Sequence, residues 1–173
     1  MKLNMLVVST IVSTFFTLSA HAVLAADLSH RDKSFLKDAA EAGYTEIEAS
    51  KLALSKSINP QIKEFAEKIV KDHEAVGTEL AALAQAKQVK LPTSPGILQK
   101  SKIKLLSLKD GTNFDEKYTE EIGIEAHQDA VKLFEKASKA STDVEVKQFA
   151  QKHLPDLQHH LEMAKTLKPT VNH

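Results

Sequence analysis

Only ten residues in 173, five glycines and five prolines, are available to punctuate this chain, and their placement is the strongest constraint on its fold. They stand at Gly43, Pro60, Gly77, Pro92, Pro95, Gly96, Gly111, Gly123, Pro155 and Pro169, leaving long stretches with apolar residues at helical spacing. No period-two alternation of strand length interrupts them, so the pattern predicts long helices with few breaks. Ser29, with Asp32 three residues later, resembles a capping box with Asp in place of Glu, and opens a helix over His30 to Ser57. Asn59 as N-cap and Pro60 at the first helical position begin a second, running to about Lys87. A third is expected from Asn113 to Ala140. After the turn Ser141-Thr142-Asp143, a fourth continues to Leu167.

Between the second and third helices lies a connector from Gln88 to Thr112, too long for a hairpin turn. Two helical hairpins joined by one long crossover that contains a short helix define a ferritin-like four-helix bundle, so the expected class is all-α. A weak internal repeat supports two equivalent halves: Ile62 to Lys68 (IKEFAEK) matches Val146 to Lys152 (VKQFAQK). Glu46 to Leu52 likewise lies over His127 to Leu133, and a pseudo-twofold placement sets Glu46 opposite His127.

The N-terminus reads as an export signal. Met1-Lys2 precedes an uncharged apolar run of 16 residues, Met5 to Ala20, followed by Ala20-His21-Ala22 and Ala25-Ala26, small residues that suit cleavage. The run falls short of the roughly 20 residues that a spanning helix needs. Residues 1–25 are thus expected to be a cleavable signal peptide and 27–173 a single domain, periplasmic or secreted, with no transmembrane segment in the mature chain. Lysine plus arginine (23) equals aspartate plus glutamate (23). Loss of Lys2 leaves 22 against 23, a mature net charge of about −1. A chain this near neutrality has no field to attract nucleic acid. The absence of cysteine removes thiolate metal sites, thiol nucleophiles and lipid attachment, and leaves carboxylates and eight histidines as the available chemistry.

Spacing residues at about 100° shows which polar groups point inward. Glu46 falls beside the apolar stripe of the first helix and His73 within that of the second, with Asp72 at its edge. The third helix has a broad apolar face that includes Tyr118, with His127 beside Val131 and Phe134; His153 and His160 belong to the inner face of the fourth, whereas His159 points away. A buried carboxylate among imidazoles requires partners. Two arrangements provide them. One is a hydrogen-bonded polar layer in which Glu46, Tyr118 and the histidines satisfy one another. The other is a metal site made by Glu46, His73, His127 and His160, one from each helix, supported by Asp72, Tyr118 and His153, and suited to a single zinc, iron, manganese or copper ion. The paired Glu-x-x-His motifs of di-iron carboxylate bundles do not occur, and Asp156-x-x-His159 is the nearest approach, so oxygen-activating di-iron chemistry is disfavoured and no catalytic residue is assigned.

The segment Ile97 to Lys109 carries four lysines and no acid. It reads either as a basic amphipathic helix giving weak envelope association, or as a crossover helix whose leucines cap the bundle while its lysines stay solvated; the latter is expected.

These residues resemble an exported ferritin-like bacterial family grouped as domain of unknown function 4142, whose members are often labelled outer membrane proteins. The likeness spans Phe35 to Leu167. It is carried by Glu46 in Ala-Gly-Tyr-Thr-Glu-Ile-Glu, Phe65-Ala66 with Val70-Lys71-Asp72-His73, Leu91-Pro92, Phe114-Asp115 with Tyr118, His127-Gln128, and Leu154-Pro155 with His160-Leu161. Ile69 stands where relatives often have methionine, a volume-conserving difference. The resemblance implies the bundle and its inward cluster but names no reaction, and the outer-membrane label finds no barrel strands here. Three roles follow: a periplasmic binding or stress-protective bundle holding a transition metal, a metal-dependent redox or hydrolytic enzyme, and an envelope-associated interaction module with a structural polar core.

Overall fold

A computed structural model describes residues 28–171, with side chains described through Leu167. The signal segment and His173 lie outside the described residues. The chain is all-helical, with five helices and no strand among the described residues: α1 (His30–Lys56), α2 (Pro60–Ala86), α3 (Ile97–Ser107), α4 (residues 111–140) and α5 (Val144–Val171). No described helix is long and apolar enough to cross a membrane.

The turns form where the sequence supplies caps. Ser29 Oγ accepts the Asp32 amide at 3.1 Å, and Asn59 Oδ1 accepts that of Gln61 at 2.9 Å just before Pro60 takes the first position of α2. Asp143 Oδ1 accepts the amides of Glu145 and Val146, both at 3.0 Å, and so starts α5. Asp32 does more than cap: its Oδ2 accepts the Thr142 hydroxyl at 2.8 Å and the amides of Thr142 and Asp143 at 3.2 Å, tying the start of α1 to the α4–α5 turn. Burial pushes the Asp32 carboxyl up, but these bonds outweigh it and hold it below its ordinary value.

The core is divided in two. One apolar cluster gathers Phe35, Leu36, Leu80, Phe134, Val146, Phe149 and Leu157; the other gathers Ala53, Ile62, Phe65, Ile69, Leu106, Phe114, Tyr118, Ile122 and Ala164. In chain order α1 and α5 pass from the first cluster to the second, while α2 and α4 pass from the second to the first. Hence α1 runs parallel to α5 and α2 parallel to α4, and the crossover carrying α3 returns the chain along the full length of the bundle. On every long helix an ionisable residue stands at the change of cluster: Glu46 on α1, His73 on α2, His127 on α4 and His160 on α5. All four are buried.

Helix α4 departs from the predicted geometry. It is α-helical over Gly111–Lys117, π-helical over Tyr118–Ala126, and α-helical again over His127–Ala140. In a regular α-helix nine residues turn by about 900°, which sets residues 118 and 127 on opposite sides. The wide turns absorb the excess, and Tyr118 and His127 are both fully buried. Gly123, within the wide segment, permits the contact with α5: a Cβ there would stand 2.9 Å from the Ala164 Cβ.

Candidate metal centre

His127 Nδ1 lies 2.9 Å from the Ile122 carbonyl oxygen. A carbonyl only accepts, so Nδ1 carries the hydrogen and Nε2 keeps its lone pair. That Nε2 is buried and has no hydrogen-bond partner. The π-helical stretch matters here because it places Ile122 beneath the imidazole.

Glu46 Oε2 lies 2.9 Å from His73 Nδ1, and Oε1 lies 3.6 Å from His127 Nδ1. Burial pushes the Glu46 carboxyl up, but the neighbouring His127 and His73 imidazoles, together with the His73 hydrogen bond, hold it below its ordinary value. An ionised carboxylate accepts, so His73 donates through Nδ1 and its Nε2 faces away from Glu46. On the far side, His160 Nε2 stands 2.9 Å from Asp72 Oδ2, which also receives the Lys68 ammonium at 2.9 Å. Burial raises the Asp72 carboxyl, and the bonds from Lys68 and His160 lower it further than burial lifts it. His160 therefore donates through Nε2 and turns Nδ1 inward. Burial holds its imidazole down to about 4, and burial likewise depresses that of His127, against the pull of Glu46.

Each imidazole thus gives its N–H to an oxygen behind it, Glu46 for His73, Asp72 for His160 and the Ile122 carbonyl for His127. The nitrogens left over are His73 Nε2, His160 Nδ1 and His127 Nε2. One ring nitrogen from each of the three residues lies within 4.8 Å of the others, forming a group able to hold a metal ion. His73 Nε2 and His160 Nδ1 are 3.3 Å apart, the separation of about 3.3 Å that two ligands at 2.0–2.1 Å make around a tetrahedral zinc. Oriented imidazoles with oxygen acceptors on their distal nitrogens are the usual surroundings of metal-binding histidines.

The sequence-predicted residues divide accordingly. His73, His127 and His160 converge. Glu46, expected as a ligand, stands behind His73, which it orients through the 2.9 Å hydrogen bond, and beside His127, to which it makes no hydrogen bond. Asp72, about 100° from His73 on its helix, supports the triad by a different route, through His160. Tyr118 does not join the layer: its hydroxyl pairs with Ser50 Oγ at 2.8 Å, its ring packs on Phe65 and Phe114, and burial pushes the hydroxyl well above its ordinary value. His153 does not join either. Two turns before His160, about 10 Å along the helix, its Nε2 meets Glu79 Oε2 at 3.0 Å, and Lys152 binds the same oxygen at 2.7 Å. His159 is exposed, as its helical phase predicts. Sequence reasoning missed the Ile122 carbonyl and Glu79; the only local sign of the former was a glycine, Gly123, four residues before His127.

A groove of about 1010 Å³ reaches this layer from the surface, lined by Glu46, Asp72, His73 and His160 and by the apolar side chains of Val76, Leu80 and Leu157. Two of the three imidazoles, both buried, thus lie under its wall.

The profile of the family described as "Domain of unknown function (DUF4142)" matches residues 17–167. The chain belongs to this family. No curated protein and no solved structure matches it. Within this DUF4142 chain the matched region contains every member of the buried layer, from Glu46 to His160.

Proposed function

We propose that this DUF4142 protein is an exported, ferritin-like bundle that holds one transition-metal ion on His73, His127 and His160. The observation that carries this reading is the convergence of His73, His127 and His160, one ring nitrogen of each within 4.8 Å of the others, with an oxygen placed to take a ring hydrogen from each. A wholly structural polar layer accounts for less. A shared proton between His73 and His160 satisfies those two nitrogens but leaves His127 Nε2 buried without a partner, at a cost of about 1–3 kcal/mol. A cation satisfies all three.

An all-imidazole set favours zinc, copper or iron over manganese, which prefers oxygen ligands. The parallel course of α2 and α4, produced by the long crossover, supports the ferritin-like assignment and a single domain over residues 27–173. The apolar run before Asp27 supports export to the periplasm or beyond. A binding or protective role fits a site made by three ligands on three rigid helices. The groove reaching His73 and His160 supports a second reading, metal-dependent chemistry on a small molecule that enters there.

Metal analysis of protein purified without a histidine tag tests the proposal. The expected result is about one equivalent of bound metal and a raised melting temperature on adding zinc, copper or iron. Lack of both sinks it.

A further inference from the structure

Helix α3 turns its apolar side chains the wrong way for a crossover that only caps the bundle. Leu106 is buried and Ile103 packs against the second core cluster, but Ile97, Leu98, Leu105 and Leu108 are 88%, 64%, 64% and 67% exposed. The expectation that these leucines cover the core is thus corrected. At about 100° per residue, the four fall within an arc of about 100°, on the side away from Ile103 and Leu106. Lys100 and Lys104 border that stripe on one side and Lys102 on the other, with Lys109 just past the helix. Nearby, at the α1–α2 turn, Ile58 is 89% exposed, and the Lys56 ammonium binds the Ser107 carbonyl at 2.7 Å, fixing α3 to this end of the bundle.

The charges around the stripe are uncompensated. Among the described residues no carboxylate pairs with Lys100, Lys102, Lys104 or Lys109, and the segment Ile97 to Lys109 contains no acid. In a chain with equal numbers of basic and acidic residues, this is a local concentration of positive charge beside exposed leucines.

We infer that α3 lays its outer face on an anionic phospholipid surface, with Ile97, Leu98, Leu105 and Leu108 entering the headgroup boundary and the lysines reaching the phosphates beside them. An in-plane amphipathic helix has this arrangement, apolar toward the acyl chains with cationic side chains extended at its flanks. A second copy of the chain fits less well: a twofold pairing of α3 with itself sets the lysine rows against each other. Helix α3 itself carries no acidic group with which to meet a basic partner.

Flotation of protein beginning at Asp27, which retains every described residue and lacks the apolar leader, provides the test. The expected result is co-flotation with vesicles of phosphatidylethanolamine and phosphatidylglycerol at low salt, release at high salt, and none with pure phosphatidylcholine. Each lysine near an anionic surface contributes about fivefold to partitioning, so Lys100→Glu with Lys104→Glu should reduce flotation by more than about tenfold. Leu98→Ser with Leu105→Ser should also abolish it, and both pairs should leave the melting temperature unchanged because the side chains are exposed. No flotation with the anionic vesicles, or flotation that both double variants retain, overturns the inference. So does sedimentation velocity showing a dimer that Leu98→Ser with Leu105→Ser dissociates, in protein that does not float.

Discussion

His73 Nε2 and His160 Nδ1 face each other across 3.3 Å in the buried layer, and each ring has its other nitrogen committed to a carboxylate, Glu46 and Asp72. Two lone pairs this close repel unless a proton or a metal ion lies between them. Burial holds the His160 imidazole down to about 4, so its Nδ1 lone pair is open to a metal near pH 7 and a proton competes for it only on acidification. Calorimetric titration is expected to show tight metal binding at pH 7 and weaker binding, with proton release, as the pH approaches 4. The ligand assignment is separable by substitution: His127→Ala should abolish stoichiometric binding, while the exposed His159→Ala should leave it intact. Equal loss in both variants would mean that the metal sits elsewhere.

The metal-free protein should lose stability as the pH falls. Burial holds His160 down to about 4 in the fold, against an ordinary value of 6.5 when the chain unfolds. Between these values the unfolded state binds the extra proton, so stability is fully present above about pH 6.5 and declines toward pH 4. His127 is shifted in the same direction, and lowered carboxyls such as Asp72 add a further loss only below their ordinary value of 3.8. His160 alone corresponds to roughly 3 kcal/mol over that interval. Melting temperatures measured without metal between pH 7 and 4 should fall by several degrees, and His160→Phe should flatten the profile. A melting temperature that rises on acidification contradicts this assignment.

How much of this was legible in the sequence follows from which signals are local. Capping residues fix helix ends within one turn, so Ser29 and Asn59 located α1 and α2 to within a residue of the observed bounds. Helical phase placed Glu46, His73 and His160 inward because α1, α2 and α5 keep α-helical spacing there. The internal repeat set Glu46 opposite His127, and the two stand 3.6 Å apart at their nearest. What stayed hidden depends on tertiary context. The π-helical segment of α4 is a register choice made against α5, and the partners of Tyr118 and His153 come from other helices. The outward face of α3 also required knowing which side the bundle occupies, since its apolar residues lie on both.

Gly123 should be intolerant of a methyl group in a way that another helical glycine is not. At Gly123 a Cβ would stand 2.9 Å from Ala164 Cβ, with Phe65 beyond it at 3.5 Å. Gly123→Ala is expected to cost about 1–3 kcal/mol by overpacking and to weaken metal binding by shifting the Ile122 carbonyl that holds His127. Gly77, in the interior of α2, has open space around the same position. Gly77→Ala should instead stabilise the protein by about 0.5–1 kcal/mol. Chemical denaturation of the two variants decides between close packing and mere helix propensity, because propensity alone predicts the same sign for both.

Glu46 is the position where orienting and ligating roles give different numbers. As a ligand, it would bind the metal directly, and Glu46→Gln would eliminate binding as His127→Ala does. Placed behind His73, with Oε2 at 2.9 Å from Nδ1, it acts by fixing the tautomer and raising the basicity of the opposite nitrogen. Glutamine keeps an oxygen acceptor for the His73 N–H while removing the charge. Glu46→Gln should therefore retain one equivalent of metal with affinity reduced about 10- to 100-fold, and Glu46→Ala, which also removes the acceptor, should reduce it further. Competition titration with a chromophoric chelator measures both. Complete loss in Glu46→Gln would move Glu46 from behind the imidazoles to the metal itself.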